Sequence, residues 1–264
     1  MFLQSDHSTL FDTSKLVKLI KHLKTRQYQR FMAELDLAIS FSRCALHSYD
    51  RYRDVTPYDE SVADKYKLKK YINASFIILN GDYYIACQEP KLTFGALFVE
   101  FLLKCDAEYL ICLEKNLHYL KGYQVLESKA EMLDETEFLI DQIYKIENKT
   151  IRVIKCSMWK DHGVLERKQM EELWKYTLDI PKDKLKIIHC KAGVGRTGTF
   201  IMFRILKDIQ RTGEVVTPEK FVDVLVELRK QRTLMVQNDI QLKFLAEYFI
   251  EEEFFMDKVC ETPD

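Results

Sequence analysis

Apolar positions recur at three- and four-residue steps over residues 14–24 and 27–41, a spacing that predicts two opening helices. Apolar and β-branched residues over 71–78 and 83–87 flank Asn80-Gly81, a strong hairpin signal. Residues 93–105 read as a helix, and 109–113 as a short buried strand. Alternation over 137–146 and 150–157 predicts two further antiparallel strands. The pattern over 166–176 is helical. An apolar run at 185–188 then reads as a strand, and 199–210 as a helix. Thr217-Pro218-Glu219 supplies a helix start, with Thr as cap and Pro in the first turn. Asn238 with Gln241 predicts a capping box for a last helix running to about residue 255. Strands and helices interleave without a clean βαβ repeat and without an internal repeat. The expected fold class is therefore α/β, a twisted mixed β-sheet flanked by helices on both faces.

Composition narrows the organisation. With 264 residues, 8 Gly and 5 Pro, and no Ser- or Pro-rich stretch, the chain shows no linker, so one domain over residues 1–264 is expected. Forty basic against 41 acidic side chains give a net charge of -1, which offers no whole-molecule attraction for nucleic acid. The first ten residues are polar, unlike a signal peptide, and no apolar run reaches bilayer-spanning length, so no integral membrane association is expected. The 7 Cys are scattered and odd in number, as suits reduced thiols in the cytoplasm. No two Cys have zinc-site spacing and the 6 His do not cluster, so neither a metal nor another cofactor is expected.

The densest chemistry lies in His189-Cys190-Lys191-Ala192-Gly193-Val194-Gly195-Arg196-Thr197-Gly198. A strand that breaks into a Gly-rich turn and then a helix is an anion cradle. Backbone N–H groups converge there, and the positive end of the helix dipole adds to their field. Such a field favours a sulfur anion at Cys190, and the guanidinium of Arg196 can clamp two phosphate oxygens. A lone Cys is more often a small buried hydrophobe. Here Cys, Arg, Thr and three Gly fall together between the right elements, which is the layout of a nucleophile that attacks a phosphate ester.

This segment resembles the signature loop of the cysteine-based protein tyrosine phosphatases. Tyr52-Arg53-Asp54-Val55-Thr56-Pro57-Tyr58-Asp59 is similar to the phosphotyrosine-recognition loop of the tyrosine-specific branch. Lys70-Tyr71-Ile72-Asn73-Ala74-Ser75 and Tyr84-Ile85-Ala86 resemble its next two blocks. Trp159-Lys160-Asp161-His162-Gly163 resembles the mobile acid loop, and Val236-Gln237-Asn238 through Gln241 the glutamine loop. The motif-bearing core covers about residues 26–255. The resemblance implies hydrolysis of phosphotyrosine in proteins through a cysteinyl-phosphate, by a single metal-free catalytic domain acting as a monomer. Compactness is also similar to the stand-alone phosphatases of insect polydnaviruses, which would act in a host cell's cytoplasm.

The resemblance also assigns roles. Cys190 is the nucleophile, His189 orients the loop and helps hold the thiolate, and Thr197 donates to the sulfur as it leaves. Arg196 and the amides of Lys191, Ala192, Gly193, Val194 and Gly195 bind the phosphoryl group. The three loop glycines permit backbone shapes costly for other residues. Asp161 is the general acid and then the base, with Gln237 and Gln241 positioning water. Tyr52 forms the wall of a deep pocket together with Val55, Asp54 grips the substrate backbone, and Arg53 favours acidic flanking residues. Glu114 braces Arg196.

Some positions depart from the family's pattern. Lys160 stands where Pro is usual, which predicts a slower enzyme, its pH optimum moved toward acid by the ammonium beside Asp161. Glu89 replaces Gly, and Asp50 replaces Asn. Lys191 replaces Ser, as in phosphoinositide phosphatases of the same superfamily, which motivates an alternative substrate. A third reading is a weakly active or inactive phosphotyrosine-binding protein.

Overall fold

A left-handed pair, Asn80 at φ 53° and Gly81 at φ 78°, turns β1 (Ala74–Leu79) back onto β2 (Asp82–Gln88). Two positive φ angles in a two-residue loop are what a tight hairpin requires. The structure, a computed structural model, describes residues 14–39, 41–133 and 136–256. Cys260 and the first ten residues lie outside them. Among the described residues, the remaining strands are β3 (Tyr109–Cys112), β4 (Gln124–Leu133), β5 (Thr136–Ile146), β6 (Lys149–Cys156) and β7 (Leu185–Cys190). All seven form one sheet in the order β1-β2-β7-β3-β6-β5-β4. The central neighbours β2, β7, β3 and β6 run parallel, whereas β1 and the β6-β5-β4 meander are antiparallel to their partners.

Helices cover both faces, as the interleaved pattern predicts. On one face lie α1 (Ser14–Lys24), α2 (Tyr28–Ala38), α5 (Arg167–Lys175), α6 (Gly195–Arg211), α7 (Pro218–Gln231) and α8 (Asp239–Phe249), packed over one core. On the other lie α3 (Ser61–Lys65) and α4 (Gly95–Lys104) over a second core. Alternation along β7 feeds both, since Ile187 enters the second core and Ile188 and Cys190 the first.

Several boundaries differ from the sequence reading. The helix expected from residue 199 begins at Gly195, so the segment after the turn is already helical where Arg196 stands. The last helix ends at Phe249, and only a short 3-10 turn, Glu252–Phe254, follows. Nothing in the hydrophobic pattern predicts β4. It is an edge strand, exposed along most of its length, with register shifts at two points. Charged residues suit an edge because they discourage pairing with another chain, and they also erase the alternation that marks a buried strand.

Candidate active site

Strand β7 is held by its neighbours to its very end. Leu113 N donates to the His189 carbonyl at 2.8 Å and Glu89 N to the Cys190 carbonyl at 2.9 Å. The chain then turns through residues 191–194 and enters α6. Gly193 sits at φ 71°, and a Cβ there would lie 2.1 Å from the carbonyl oxygen of Cys87, so only glycine fits. Its N–H donates to Cys190 Sγ at 3.3 Å. Gly195 and Gly198 are helical and do not have positive φ, contrary to the expectation that all three glycines serve unusual backbone shapes. Gly198 serves close packing instead, because a Cβ there would lie 2.4 Å from Val236 N.

Arg196, only 4% exposed, ties three segments together. Its Nη1 donates to the carbonyls of Leu113 at 3.1 Å and Trp159 at 2.8 Å. Its Nη2 donates to Glu114 and, at 3.1 Å, to Asp161 Oδ1. Burial opposes the charge on Arg196. Interactions with Cys190, Glu114 and Asp161 outweigh that cost and raise its pKa above the ordinary guanidinium value.

The acid loop is docked from several sides. Trp159 is buried, and its Nε1 donates to the Gly163 carbonyl at 3.0 Å. Asn238 Nδ2 donates to the His162 carbonyl at 2.9 Å, and Gln241 Nε2 lies 3.4 Å from the Gly163 carbonyl. Asp161 Oδ2 is 3.9 Å from the Lys191 ammonium. Lys160 is exposed and makes none of these pairs. The ammonium within 4 Å of Asp161 is that of Lys191, and not that of Lys160 as expected from the sequence.

A cavity of about 200 Å³ brings together Tyr52, Asp54, Val55, Asp161, Cys190 and Ala192 with Gly195, Arg196, Gln237 and Gln241. His162, which has no role in the sequence reading, also lines it. Arg53 is exposed and lies outside this wall, and Val194 is buried beneath the loop. Thr197 is fully buried, and its hydroxyl has no hydrogen-bond partner among the described residues. His189 is fully buried, with Nε2 against the Tyr119 hydroxyl. Burial pulls its pKa down to about 3, so the imidazole is neutral at pH 7 and brings no positive charge to the sulfur.

The predicted capping box is half formed. Asn238 Oδ1 accepts from Gln241 N at 2.9 Å. The Gln241 side chain turns instead to Gln237 N, also at 2.9 Å, fixing the residue before the cap. Asp50 is buried and accepts from the Tyr71 hydroxyl, the Asn73 amide and His47 N. Glu89 pairs with Arg51 at 2.9 Å. Burial raises the Glu89 pKa while Arg51 opposes the rise. Among the described residues, no group of three or more His, Cys, Asp or Glu could hold a metal ion. Arg229 and Arg232 were missed from sequence. Their signal was available, since both continue the apolar stripe of Val222, Leu225 and Leu228 on α7.

The family model described as protein-tyrosine phosphatase matches residues 47–124 and 122–251. Human tyrosine-protein phosphatase non-receptor type 20 is 29% identical over 235 residues, which cover 76% of this chain and 54% of that protein. The chain thus spans about half the length of that relative. The catalytic domain of human protein tyrosine phosphatase non-receptor type 18 superposes with a TM-score of 0.68 at 21% identity, covering 93% of this chain and 100% of that one. TcPTP1 of Trypanosoma cruzi gives 0.66 at 20% identity, covering 89% and 96%.

Proposed function

The chain belongs to the protein-tyrosine phosphatase family, and from that premise we propose that it hydrolyses phosphotyrosine in proteins through a cysteinyl-phosphate. The single observation that carries this reading is the contact of Gly193 N with Cys190 Sγ at the floor of a cavity that Asp161, Arg196 and Gln237 also line. In the first step the Cys190 thiolate attacks phosphorus, an S–P bond forms, and the P–O bond to the tyrosine breaks. Asp161 gives its proton to the leaving phenolate, which needs one because its conjugate acid has a pKa of about 10. Arg196 and the loop amides hold the three equatorial oxygens. In the second step Gln237 positions a water, Asp161 takes its proton, and the new P–O bond displaces the sulfur. The buried hydroxyl of Thr197 has no hydrogen-bond partner among the described residues, which supports a role as donor to that departing sulfur.

Tyr52, Asp54 and Val55 on the cavity wall support a phosphotyrosine substrate over phosphoserine, which is too short to reach the floor. The six described cysteines are free thiols, which supports work in a reducing compartment such as the cytoplasm. Release of inorganic phosphate from phosphotyrosine peptides by the wild type, and none by Cys190→Ser, tests the reading. Equal inactivity of both proteins would refute it. One observation favours a second reading. The Lys191 ammonium beside Asp161 suits a more highly charged substrate, an inositol phosphate, and hydrolysis of both substrates side by side distinguishes them.

A further inference from the structure

Two inward-facing arginines, Arg229 on α7 and Arg232 just after it, are balanced in different ways. Arg229 donates to the carbonyls of Met235 and Val236 and pairs with the Asp36 carboxylate at 2.6 Å. Arg232 is fully buried and holds two carbonyls of the anion loop, Gly193 through Nε at 2.8 Å and Ala192 through Nη2 at 3.2 Å. Its other acceptors are neutral, Asn73 Oδ1 at 2.7 Å and Ser75 Oγ at 3.2 Å. Among the described residues no carboxylate forms an ion pair with it. Asp50 is linked to it only through the Asn73 amide.

A buried cation with only neutral partners is expensive unless an anion is held nearby. Burial lowers the Arg232 pKa, and the groups that oppose this are Cys87, Tyr71, Cys190 and Asp50. Burial keeps the Cys87 thiol and the Tyr71 hydroxyl protonated at neutral pH. That leaves Asp50, reached only through Asn73, and the pocket floor at Cys190 as the places where a balancing anion can sit.

The peptide planes add a second effect. The Ala192 carbonyl and the Gly193 N–H lie on opposite sides of one planar unit. Arg232 takes the first, and the second points at Cys190 Sγ. The Gly193 carbonyl is held likewise, which turns the Val194 N–H away from Arg232.

We propose that Arg232 is a positioning residue for the reaction. From behind the loop it turns the Gly193 and Val194 N–H groups toward the pocket, and its unpaired charge favours an anion there, the sulfur first and the phosphoryl group next. The proposal rests on the reading of this pocket as a phosphoryl site.

The test compares wild type, Arg232→Met and Arg232→Lys. The readouts are calorimetric binding of inorganic phosphate, the rate of Cys190 alkylation by iodoacetamide at pH 6, and the thermal melt. Arg232→Met is expected to bind phosphate at least tenfold more weakly and to alkylate several-fold more slowly. Arg232→Lys, which keeps the charge but not the fork, should recover the alkylation rate and only part of the phosphate affinity. Phosphate affinity within twofold of wild type and an unchanged alkylation rate in a folded Arg232→Met would overturn the proposal. If Arg232→Met shows no cooperative melt, Arg232→Lys decides, with several-fold weaker phosphate binding in support and binding within twofold of wild type against. Failure of the wild type itself to bind phosphate would instead sink the reading of the pocket.

Discussion

Arg196 Nη1 donates to the carbonyl of Trp159 at 2.8 Å, so the anion loop and the acid loop are joined by a side chain of the first and a backbone oxygen of the second. The acid is thereby delivered as part of a docked segment, with Asn238 and Gln241 reaching the same segment from α8. Removal of the carboxylate alone should leave that docking in place. Asp161→Asn is expected to lower kcat on phosphotyrosine peptides by about 10²–10⁴-fold, the usual contribution of a positioned general acid. The loss should shrink for aryl phosphates whose phenols are more acidic and leave without a proton. An equal loss across a leaving-group series would contradict the assigned role.

Two cations stand beside Asp161, the Arg196 guanidinium at 3.1 Å and the Lys191 ammonium at 3.9 Å, and the exposed Lys160 is not one of them. An ammonium at that place favours substrates carrying more than one phosphate. Lys191→Met should therefore lower hydrolysis of inositol phosphates several-fold more than that of phosphotyrosine peptides. Lys160→Met should change neither by more than twofold. A loss that follows Lys160 and not Lys191 would reverse the assignment.

Gly193 carries both a positive φ and a carbonyl contact that forbids a side chain. Gly193→Ala should lower stability by about 1–3 kcal/mol through strain and overpacking. Its phosphate affinity should fall as well, because the N–H on the sulfur is displaced. Gly198→Ala meets Val236 N instead, and its cost should appear in the chemical denaturation midpoint with the loop amides still aligned.

Burial of His189 makes folding depend on pH. Its pKa falls from 6.5 to about 3 on burial, so between those values the unfolded chain binds a proton that the folded chain does not. Stability then rises with pH across this window and is lost as pH falls below 6.5. The histidine alone should make the protein about 2 kcal/mol less stable at pH 5 than at pH 7. Urea titrations at both values, compared with His189→Gln, measure this. An unchanged difference in the variant would assign the acid sensitivity elsewhere.

The β7–turn–α6 unit was legible because its chemistry is local, with Cys190 and Arg196 six positions apart on one turn. Asn80-Gly81 was legible for the same reason. Tyr52, Asp161 and Gln237 were found through resemblance, and the fold brings all three to one cavity. Position by position, the sequence did not reveal which lysine stands near Asp161, because Lys160 is adjacent in the chain and Lys191 is adjacent in space. Strand β4 was missed because its residues are mostly exposed and follow no strict alternation, and Tyr119 because a tyrosine near an apolar run reads as ordinary core. Arg232 stands in step with the apolar stripe of α7, but its partners, the loop carbonyls, lie far away in the chain and leave no mark on that pattern.

The nucleophile ends a strand clamped on both sides by parallel neighbours, while the acid rides on a short segment held by a handful of contacts. Affinity for an oxyanion and speed of proton delivery therefore belong to separate pieces of chain. Drift in the acid segment can retune turnover without disturbing what the pocket recognises. A family built this way can change tempo over generations while keeping its vocabulary.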